Sequence, residues 1–363
     1  MEILEKLVDY RNLIQPLLVE FFQKKIKIAK KTDPLATGAV KEIERVVLAG
    51  GKRIRPALVY YGFLAAGGKK NQAILEASLS IELMHVFLLI HDDIIDRDEK
   101  RHGLATVNKS YQAWGEKLLS LERKESEHFG NSMAIVVGDM AYSMANEILF
   151  EADFPASHIL SALKKMQEIV YKTIPGEMLD IFLDARGDAS EEEIMKMYDG
   201  KTARYTFEGP LHLGACLAGQ GKNRELLSSF SDYALPIGQA FQLKDDILGV
   251  FGREEKLGKP VGSDVIEGKQ TLLVVKALER ANFQERRKIK RLLGKRNLSL
   301  KELGEFQLLL KKTGALEYAE KTGLKLLKEA TEAVEKAQKS LVFDKKTAIF
   351  LKDLAEYIIL RQV

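Results

Sequence analysis

The stretch "HVFLLIHDDIIDRDEKRHG", which runs from His85 to Gly103, decides the fold prediction because an apolar run leads directly into a group of acidic side chains. Asp92 and Asp96 are four residues apart, so they lie on one face of a helix, and His85 falls on the same face. Asp93 lies about 100° around that helix. Carboxylates at this spacing repel one another and destabilise an isolated helix. We therefore expect a long, largely buried helix whose acidic end holds a compensating cation.

The ligand atoms at this helix end favour Mg²⁺ over zinc, because they are hard oxygen atoms and no cysteine lies nearby. The chain has a single cysteine, Cys216, which excludes an internal disulfide and a thiolate cage around a metal. We expect Cys216 to be a buried core residue. His91, next to Asp92, is either a helper of the acids or a packed or solvent-facing histidine, and we favour the second interpretation.

A second acidic pair occurs in "FQLKDDILGVFG", which follows another apolar run, "ALPIGQAF". One stripe of this helix carries Gln242, Asp245, Asp246 and Gly249. A single pair of this kind is most often the solvated end of a helix, but two pairs on two long apolar helices favour a shared site. If the two helices face each other, the pairs form a cage that several divalent ions can bridge.

Cationic residues cluster in glycine-containing segments and suit a phosphate group. Glycine lets the backbone approach a phosphate, and lysine and arginine neutralise its charge. Mg²⁺ held by one or two carboxylates usually binds substrate phosphates as well. The segments "GGKRIRP", "RDEKRHG", "GKTARY" and "GREEKLGKPVGSDVIEGKQT" supply Lys52, Arg53, Arg55, Arg101, His102, Lys201, Thr202, Lys259 and Lys269. Together with the aspartates, these residues predict a diphosphate site above an apolar shaft.

The rest of the pattern predicts an all-α protein with one domain, residues 1–363. Of the 363 residues, 46% are hydrophobic, which is enough for a large core. Apolar residues recur at helical spacing almost everywhere, and we find no convincing β-hairpin signal and no repeat. We expect a helix break near Gly314, a flap or short extra helix after Thr106, and a loop over "GREEKLGKPVGSDVIEGKQT". The stripe of the N-terminal helix consists of Ile3, Leu4, Leu7, Val8, Leu13, Ile14, Leu17 and Leu18.

Charge and hydropathy argue against several other classes of protein. The net charge of +4 carries little information about partners. The basic run "RRKIKRLLGKR" has no interleaved aromatic residues, so we interpret it as a solvated helix face and expect no nucleic-acid partner. The N-terminal segment lacks the features of a signal peptide. No uncharged apolar run reaches about 18 residues, and Asp139 interrupts the nearest one. We expect a soluble, cytoplasmic protein that does not span a membrane.

Taken in order, these motifs resemble the trans-isoprenyl diphosphate synthase (polyprenyl synthetase) family, which includes farnesyl and geranylgeranyl diphosphate synthases. "GGKRIRP" is similar to its GGKxxRP motif, "HDDIID" to its first aspartate-rich motif, and "FQLKDDILG" to its second. "AIVVGD", "GEMLD", "KTA" and "GKPVGSDVIEGKQT" are similar to its GD, GQxLD, KT and lysine-loop motifs. The resemblance extends from about residue 50 to the C-terminus and is closest to the geranylgeranyl synthases.

The resemblance implies a helical barrel of the isoprenoid-synthase type around a deep central cavity, usually in a homodimer. It implies that Asp92, Asp96 and Asp245 hold three Mg²⁺ ions on an allylic diphosphate, with Asp93 and Asp246 in support. It assigns further contacts to that diphosphate to Arg101, Lys201, Lys259 and Lys269, with Thr202 and Gln242 nearby. It assigns the diphosphate of isopentenyl diphosphate to Lys52, Arg55, His85 and the position of His102.

The implied reaction is a Mg²⁺-dependent, head-to-tail, all-trans condensation of isopentenyl diphosphate with dimethylallyl, geranyl or farnesyl diphosphate. Mg²⁺ and lysine stabilise the leaving diphosphate, an apolar cavity protects the allylic cation from water, and the isopentenyl double bond attacks that cation. The scheme needs no Ser or Cys triad, and the sequence shows none.

The chain departs from the family pattern at three positions. His102 stands where the family has a second arginine, and a histidine is only partly charged near neutral pH, which predicts weaker or pH-dependent isopentenyl binding. Gly249 replaces the last aspartate of the second motif, and we expect metal binding to persist through the two leading acids. Glu177 replaces the usual glutamine and adds a negative charge near the site.

Product length depends in this family on residues just before the first motif. Phe87, five residues before Asp92, resembles the single aromatic residue of geranylgeranyl (C20) synthases, because the position of Leu88 is not aromatic. Leu88 lies about 40° from Asp92 around the helix, whereas Phe87 lies about 140° away and could equally be a side wall or ordinary core. We favour a C20 product, with C15 or the slightly longer C25 as alternatives.

Three rival functions are weaker. A terpene cyclase or head-to-head synthase needs no second diphosphate pocket, which "GGKRIRP" and His85 supply. A non-catalytic regulatory subunit usually lacks an aspartate motif, whereas this chain keeps the leading acids of both. A helical scaffold with chance acidic pairs does not explain the ordered series of motifs.

Overall fold

The computed structural model describes residues 2–252 and 261–360, which are almost entirely helical, and the expected all-α fold is confirmed. The first described helices are α1 (Glu2–Thr32), α2 (Pro34–Leu48), α3 (Ile54–Ala65), α4 (Gln72–Ile95), α5 (Val107–Leu118), α6 (Arg123–Phe150), α7 (Ala156–Arg186) and α8 (Glu191–Tyr198). A π-helix (Asp199–Glu208) continues directly from α8. The later ones are α9 (Gly209–Leu217), α10 (Arg224–Phe251), α11 (Ser263–Glu267), α12 (Leu272–Arg280), α13 (Phe283–Leu292), α14 (Leu300–Lys312), α15 (Ala315–Lys339) and α16 (Lys345–Leu360).

Local sequence explains where the key helices begin and end. The side chain of Asn71 accepts a hydrogen bond from the Ile74 amide and caps the start of α4. Gly314 adopts a φ of 71° between α14 and α15, so the predicted break is confirmed. The predicted stripe of α1 is too wide, because Leu4, Val8 and Leu13 are exposed. The buried face of α1 carries Ile3, Leu7, Tyr10, Ile14, Leu18 and Phe22.

A short β-hairpin follows α4, so the expectation of no hairpin was wrong. Strand β1 (Lys100–Arg101) pairs antiparallel with β2 (Leu104–Ala105). The two turn residues, His102 and Gly103, both have positive φ, as a tight two-residue hairpin turn requires. Strands of two residues are too short to show an alternating pattern in the sequence, which is why the prediction missed them.

Three long helices extend through both clusters of buried apolar side chains. Helix α10 contributes Phe230 and Ile237 to the larger cluster and Leu243 and Val250 to the smaller one. Helices α7 and α15 also contribute to both clusters. This continuity supports the prediction of one domain over residues 1–363, which stays a prediction. Cys216 is buried in the larger cluster, as expected.

Two segments of unusual composition each contain a short helix. The segment after Thr106 forms a short extra helix, α5, whose Trp114 ring stacks on Phe129 of α6. The glycine-rich segment was expected to be a loop, but Ser263–Glu267 forms the short helix α11. Lys259 lies in residues 253–260, outside the described residues, so its predicted contact with a diphosphate is not addressed by the structure.

Helices α4 and α6 are long and apolar enough to cross a membrane by length and composition alone. Most of the apolar window of α4, 72%, is buried inside the protein, as in a core helix. The corresponding window of α6 is only 44% buried, so part of its apolar surface faces outward.

Candidate active site

A cavity of about 670 Å³ lies between α4, α7, the π-helix and α10. Its polar part is lined by both aspartate motifs, by Arg101 and by the lysines of the π-helix and the glycine-rich segment. Its apolar part is lined by Phe87, Leu88, Ile174, Met178 and Ile181. One cavity is therefore lined by the charged and the apolar side chains from which the sequence predicts a diphosphate site above an apolar shaft.

The π-helix places the "KTARYT" segment against the cavity. A π-helix is rare and usually occurs as a short insertion at a functional site. Lys201, Thr202 and Tyr205 of this segment all line the cavity. Glycine permits close packing behind it, since a Cβ atom at Gly176 of α7 would lie only 2.2 Å from the Lys201 amide nitrogen. The backbone of α7 thus supports the π-helix directly at the lysine.

Arg101 holds the acids of the first motif together. Its Nε donates to Asp93 Oδ1 at 2.5 Å, and its Nη2 lies 3.4 Å from Asp92 and 3.2 Å from Asp98. Asp93 is 4% exposed, and burial raises its pKa to about 6 although Arg101 opposes that shift. Asp92 and Asp96 line the cavity, whereas Asp93 lies behind them as a support for Arg101.

Two lysines bridge the acids of α4 to those of α7. Lys201 Nζ lies 2.6 Å from Asp180, 3.0 Å from Glu177 and 3.7 Å from Asp92. Lys269 Nζ lies 2.7 Å from Asp96 and 3.2 Å from the same Asp180. Asp180 is therefore the carboxylate shared by both lysines, and sequence reasoning did not single it out although it ends the "GEMLD" motif.

Asp180 and Glu177 of α7 both contact Lys201, and their pKa values are shifted in opposite directions. Burial raises the pKa of Asp180, but Lys201 and Lys269 more than offset it, so that the pKa is lowered overall. Glu177 is only half-buried and has the longer contact with Lys201, and its partial burial raises its pKa to about 7. Its Oε1 atom is buried without a hydrogen-bond partner. Asp180 therefore keeps the charge, and Glu177 is the group that takes up a proton near neutral pH.

In the second aspartate motif, as in the first, the leading acid lines the cavity and the next acid is buried behind it. Asp245 and Gln242 line the cavity, and Gln242 Oε1 accepts a hydrogen bond from Thr202 at 2.6 Å. Asp246 is 4% exposed and accepts hydrogen bonds from the Tyr198 hydroxyl and the Gln242 amide. Burial raises the Asp246 pKa well above its usual range. Asp246 thus holds Tyr198 and Gln242 in place behind Asp245.

The glycine at the end of the second motif makes room for another carboxylate. A Cβ atom at Gly249 would lie 2.3 Å from Asp264 Oδ2, so the Asp264 carboxylate would have to shift if a side chain stood at position 249. The amide of Gly262 donates to the Gly249 carbonyl at 2.8 Å and fixes this segment to α10. Both Gly249 and Asp264 line the cavity. The Asp264 carboxylate therefore lies beside the position where the family motif has its last aspartate, and sequence reasoning did not identify it.

Three of the four residues predicted to bind isopentenyl diphosphate line the cavity. Arg55, His85 and His102 line it. Lys52 does not: it is exposed, with its ammonium 5.2 Å from the centre of the Tyr357 ring. Arg53, from the same "GGKRIRP" segment, forms a buried ion pair with Glu82 and so has a structural role.

The apolar end of the cavity has an aromatic wall. The Phe87 ring contacts the ring of His91 at 4.9 Å and that of Tyr142 at 5.0 Å between centroids. His91 Nε2 lies 3.2 Å from the Ile135 carbonyl and 3.8 Å from Asp139, so His91 packs between α4 and α6. The Tyr142 hydroxyl donates to Gln167 at 2.6 Å, which fixes the ring behind Phe87. Phe87 and Leu88 both line the cavity.

The carboxylates fit Mg²⁺ that is shared with a substrate. Within residues 2–252 and 261–360, no three Asp, Glu, His or Cys side chains converge on one point as a complete protein-built metal site. Mg²⁺ typically binds one or two carboxylates and takes its other ligands from water and substrate phosphates. Asp92, Asp96 and Asp245 line one cavity from two helices and can supply that share.

An all-α cavity with two acidic motifs, bridging lysines and an apolar end defines an enzyme that binds a diphosphate with a hydrocarbon tail. The sequence profile of the polyprenyl synthetase family matches residues 39–309, and the chain belongs to that family. The expectation of a short-chain trans-prenyltransferase is confirmed by this match and by the relatives described next.

Three similar proteins illustrate the range of the family. A short chain isoprenyl diphosphate synthase of Methanothermobacter thermautotrophicus is 36% identical over 88% of this chain and 89% of its own. A (2E,6E)-farnesyl diphosphate synthase of Mycobacterium bovis is 34% identical over 86% and 80%. The crystal structure of a geranylgeranyl pyrophosphate synthase from Corynebacterium glutamicum, complexed with isoprenyl diphosphate and magnesium, has a TM-score of 0.89. It is 32% identical and covers 97% of this chain and 98% of that one.

Proposed function

We propose that this protein condenses isopentenyl diphosphate with an allylic diphosphate, head to tail and all-trans, to give geranylgeranyl diphosphate. One observation carries the proposal: both aspartate motifs, the two bridging lysines and the apolar pocket line a single cavity. The similarity to a geranylgeranyl synthase structure over nearly the whole chain supports the C20 product. Phe87, which stands at the apolar end without an aromatic neighbour at position 88, supports it further.

We assign the two diphosphates to opposite parts of the polar cavity. Asp92, Asp96 and Asp245 would hold three Mg²⁺ ions on the allylic diphosphate, with Asp93 and Asp246 behind them. Arg101, Lys201 and Lys269 would contact the same diphosphate, with Thr202 and Gln242 alongside. Arg55, His85 and His102 would hold the diphosphate of isopentenyl diphosphate, with Lys52 reaching it only after a change of side-chain conformation, since Lys52 does not line the cavity.

The reaction breaks the bond between the allylic carbon and its diphosphate oxygen, and forms a carbon–carbon bond to the isopentenyl double bond. Mg²⁺, when bound, stabilises the charge that develops on the leaving diphosphate. Lys201, Lys269 and Arg101 are already oriented by carboxylates and add to that stabilisation without reorganisation. The apolar wall around Phe87 excludes water from the cation. The carbocation that results then loses a proton, and the departing diphosphate, a basic anion in the same cavity, accepts it.

We also propose a cytoplasmic homodimer formed through α6 and α7. These helices expose large apolar side chains on their outer surface, including Val136 (61%), Leu160 (70%), Tyr171 (78%), Met178 (63%) and Phe182 (57%). Met178 and its neighbour Ile181 also line the cavity. A second copy on this face would cover the apolar surface and seal the hydrocarbon end of the cavity from water.

Product analysis tests the proposed function. The purified protein is incubated with Mg²⁺, isopentenyl diphosphate and each of the C5, C10 and C15 allylic diphosphates, and the products are sized. We expect C20 product from every primer. Products formed from an allylic diphosphate without isopentenyl diphosphate would indicate a cyclase instead, and products ending at C15 or C25 would contradict the C20 assignment.

A further inference from the structure

Tyr205 lies at a junction of four side chains from three elements. Arg55 Nη2 of α3 donates to the Tyr205 hydroxyl at 2.5 Å and to Thr206 Oγ1 at 2.9 Å. The same hydroxyl lies 3.4 Å from Nδ1 of His85, on α4. The Arg55 guanidinium also lies over the Tyr205 ring, 4.6 Å from its centre. Arg55, His85 and Tyr205 all line the cavity.

The π-helix carries two of the four side chains of this junction. Tyr205 and Thr206 are consecutive residues of that element, and both accept a hydrogen bond from one nitrogen of Arg55. Lys201 and Tyr205 of the same element both line the cavity. The π-helix therefore connects the junction to the lysine that contacts Asp92 and Asp180.

The chemistry of arginine fixes the direction of one contact, because arginine can only donate and the Tyr205 oxygen therefore accepts from Arg55. The Tyr205 hydroxyl hydrogen remains available to donate to His85 Nδ1, which lies 3.4 Å away. A histidine that accepts at Nδ1 is neutral and carries its hydrogen on Nε2. Burial lowers the His85 pKa well below its usual range, and Arg55 and Arg101 lower it further, which supports the neutral form.

We propose that Tyr205 is a positioning residue for the isopentenyl diphosphate end of the cavity. Its ring and hydroxyl fix the Arg55 guanidinium, and its hydrogen bond holds His85 in the tautomer whose Nε2–H donates to a diphosphate oxygen. This inference rests on the proposed assignment of Arg55 and His85 to isopentenyl diphosphate.

Steady-state kinetics of two substitutions test the role. Tyr205→Phe keeps the ring under Arg55 but removes the hydroxyl, and Tyr205→Leu removes both. We expect Tyr205→Phe to raise the KM for isopentenyl diphosphate roughly tenfold, as for the loss of a hydrogen bond to a charged group. The KM for the allylic diphosphate and kcat should change little, and Tyr205→Leu should show the larger effect. Tyr318→Phe, which removes a hydroxyl bonded to Glu191 away from the cavity, is the matched control.

The tautomer of His85 can be measured directly, and it would not change if Tyr205 had only a structural role. The chain has six histidines, so nitrogen-15 chemical shifts of the imidazoles can be assigned by substitution. We expect His85 of the wild-type protein to carry its hydrogen on Nε2, and Tyr205→Phe to shift it toward Nδ1. Finding the hydrogen on Nδ1 in the wild type, or no change in the variant, would overturn the proposal.

A third variant separates this inference from the proposed function. If Arg55→Lys raises the isopentenyl KM but Tyr205→Phe does not, the substrate assignment stands and the role of Tyr205 is refuted. If Arg55→Lys leaves that KM unchanged in a protein that still makes product, the assignment of the isopentenyl site fails. An equal rise in both KM values for Tyr205→Phe would also overturn the proposal, since it would show a general disturbance of the cavity.

Discussion

Glu177 is a half-buried carboxyl whose raised pKa makes the stability of the protein depend on pH. Its pKa is raised from the usual value to about 7, so the folded protein binds a proton there that the unfolded chain releases above about pH 5. The free energy of unfolding of the metal-free protein therefore falls as pH rises through pH 5–7. Glutamine has the shape of the protonated side chain and does not titrate.

We predict that Glu177→Gln stabilises the metal-free protein by about 1–3 kcal/mol at pH 8 and by almost nothing at pH 5. Urea unfolding at the two pH values measures the difference. The control is Glu329→Gln, since Glu329 lies on the outer surface of α15 and its paired Lys325 is 3.7 Å away. A stabilisation that is equal at both pH values, or a destabilisation at pH 8, would contradict the prediction.

Gly249 departs from the family motif, and we expect that restoring the aspartate lowers the activity. The Asp264 carboxylate already occupies the space that a side chain at position 249 needs. We predict that Gly249→Asp lowers kcat about tenfold and weakens Mg²⁺ activation, because two like charges would compete for one position. Gly304→Asp on α14 is the matched control, since no atom lies within 4 Å of a Cβ there. An unchanged or higher kcat for Gly249→Asp would refute this expectation.

The hairpin after α4 is the element that carries His102 into the cavity. Partial desolvation lowers the His102 pKa, and the charges of Arg101 and Arg53 lower it further, so the neutral imidazole is favoured at pH 7 and above. We predict that His102→Arg lowers the isopentenyl KM several-fold at pH 8, because a permanent charge at this place strengthens diphosphate binding. His102 has a left-handed φ of 51°, and arginine is compatible with this conformation, because Arg53 and Arg97 of the same chain have φ values of 53° and 58°. An isopentenyl KM that does not fall at pH 8 would reject the prediction.

Helix α6 supports the aromatic wall that α4 presents to the cavity. Phe87 of α4 is backed by Tyr142 of α6, whose hydroxyl is fixed by Gln167 of α7. We predict that Phe87→Ala shifts the products beyond C20, and that Phe87→Ala with Tyr142→Ala shifts them further, because the second ring limits the space opened by the first. Chromatographic sizing of the products measures both. Phe283→Ala, at an exposed position on α13 that does not line the cavity, is the control, and an unchanged product profile for Phe87→Ala would discard this role.

The sequence predicted the parts of the site that depend on helical spacing, and missed those that depend on packing between elements. The four-residue interval of Asp92 and Asp96 and the break at Gly314 follow from local rules. The sharing of Asp180 by Lys201 and Lys269 does not, because it joins residues that are distant in the chain. Tyr205 was missed for the same reason, because its partners Arg55 and His85 belong to distant parts of the chain.

At the scale of the whole molecule, the cavity and the outer apolar surface are connected. Ile174, Met178 and Ile181 of α7 line the cavity, yet each is between 42% and 63% exposed in the single chain. A side chain that faces both a hydrocarbon pocket and water leaves the pocket unsealed. A reaction through an allylic cation needs water to be excluded, so the enzyme should require a cover on this face.

We predict that the wild-type protein is a dimer at micromolar concentration and that Tyr171→Glu weakens the dimer at least about tenfold, because the substitution places charge on the exposed face of α7. Sedimentation velocity over a range of concentrations measures the dissociation constant. Leu308→Glu, at a comparably exposed apolar position on α14, should leave the dimer intact. Specific activity should fall together with the dimer fraction in Tyr171→Glu, although this residue does not line the cavity. A monomeric wild type, or a Tyr171→Glu monomer with full activity and unchanged products, would show that α7 needs no cover.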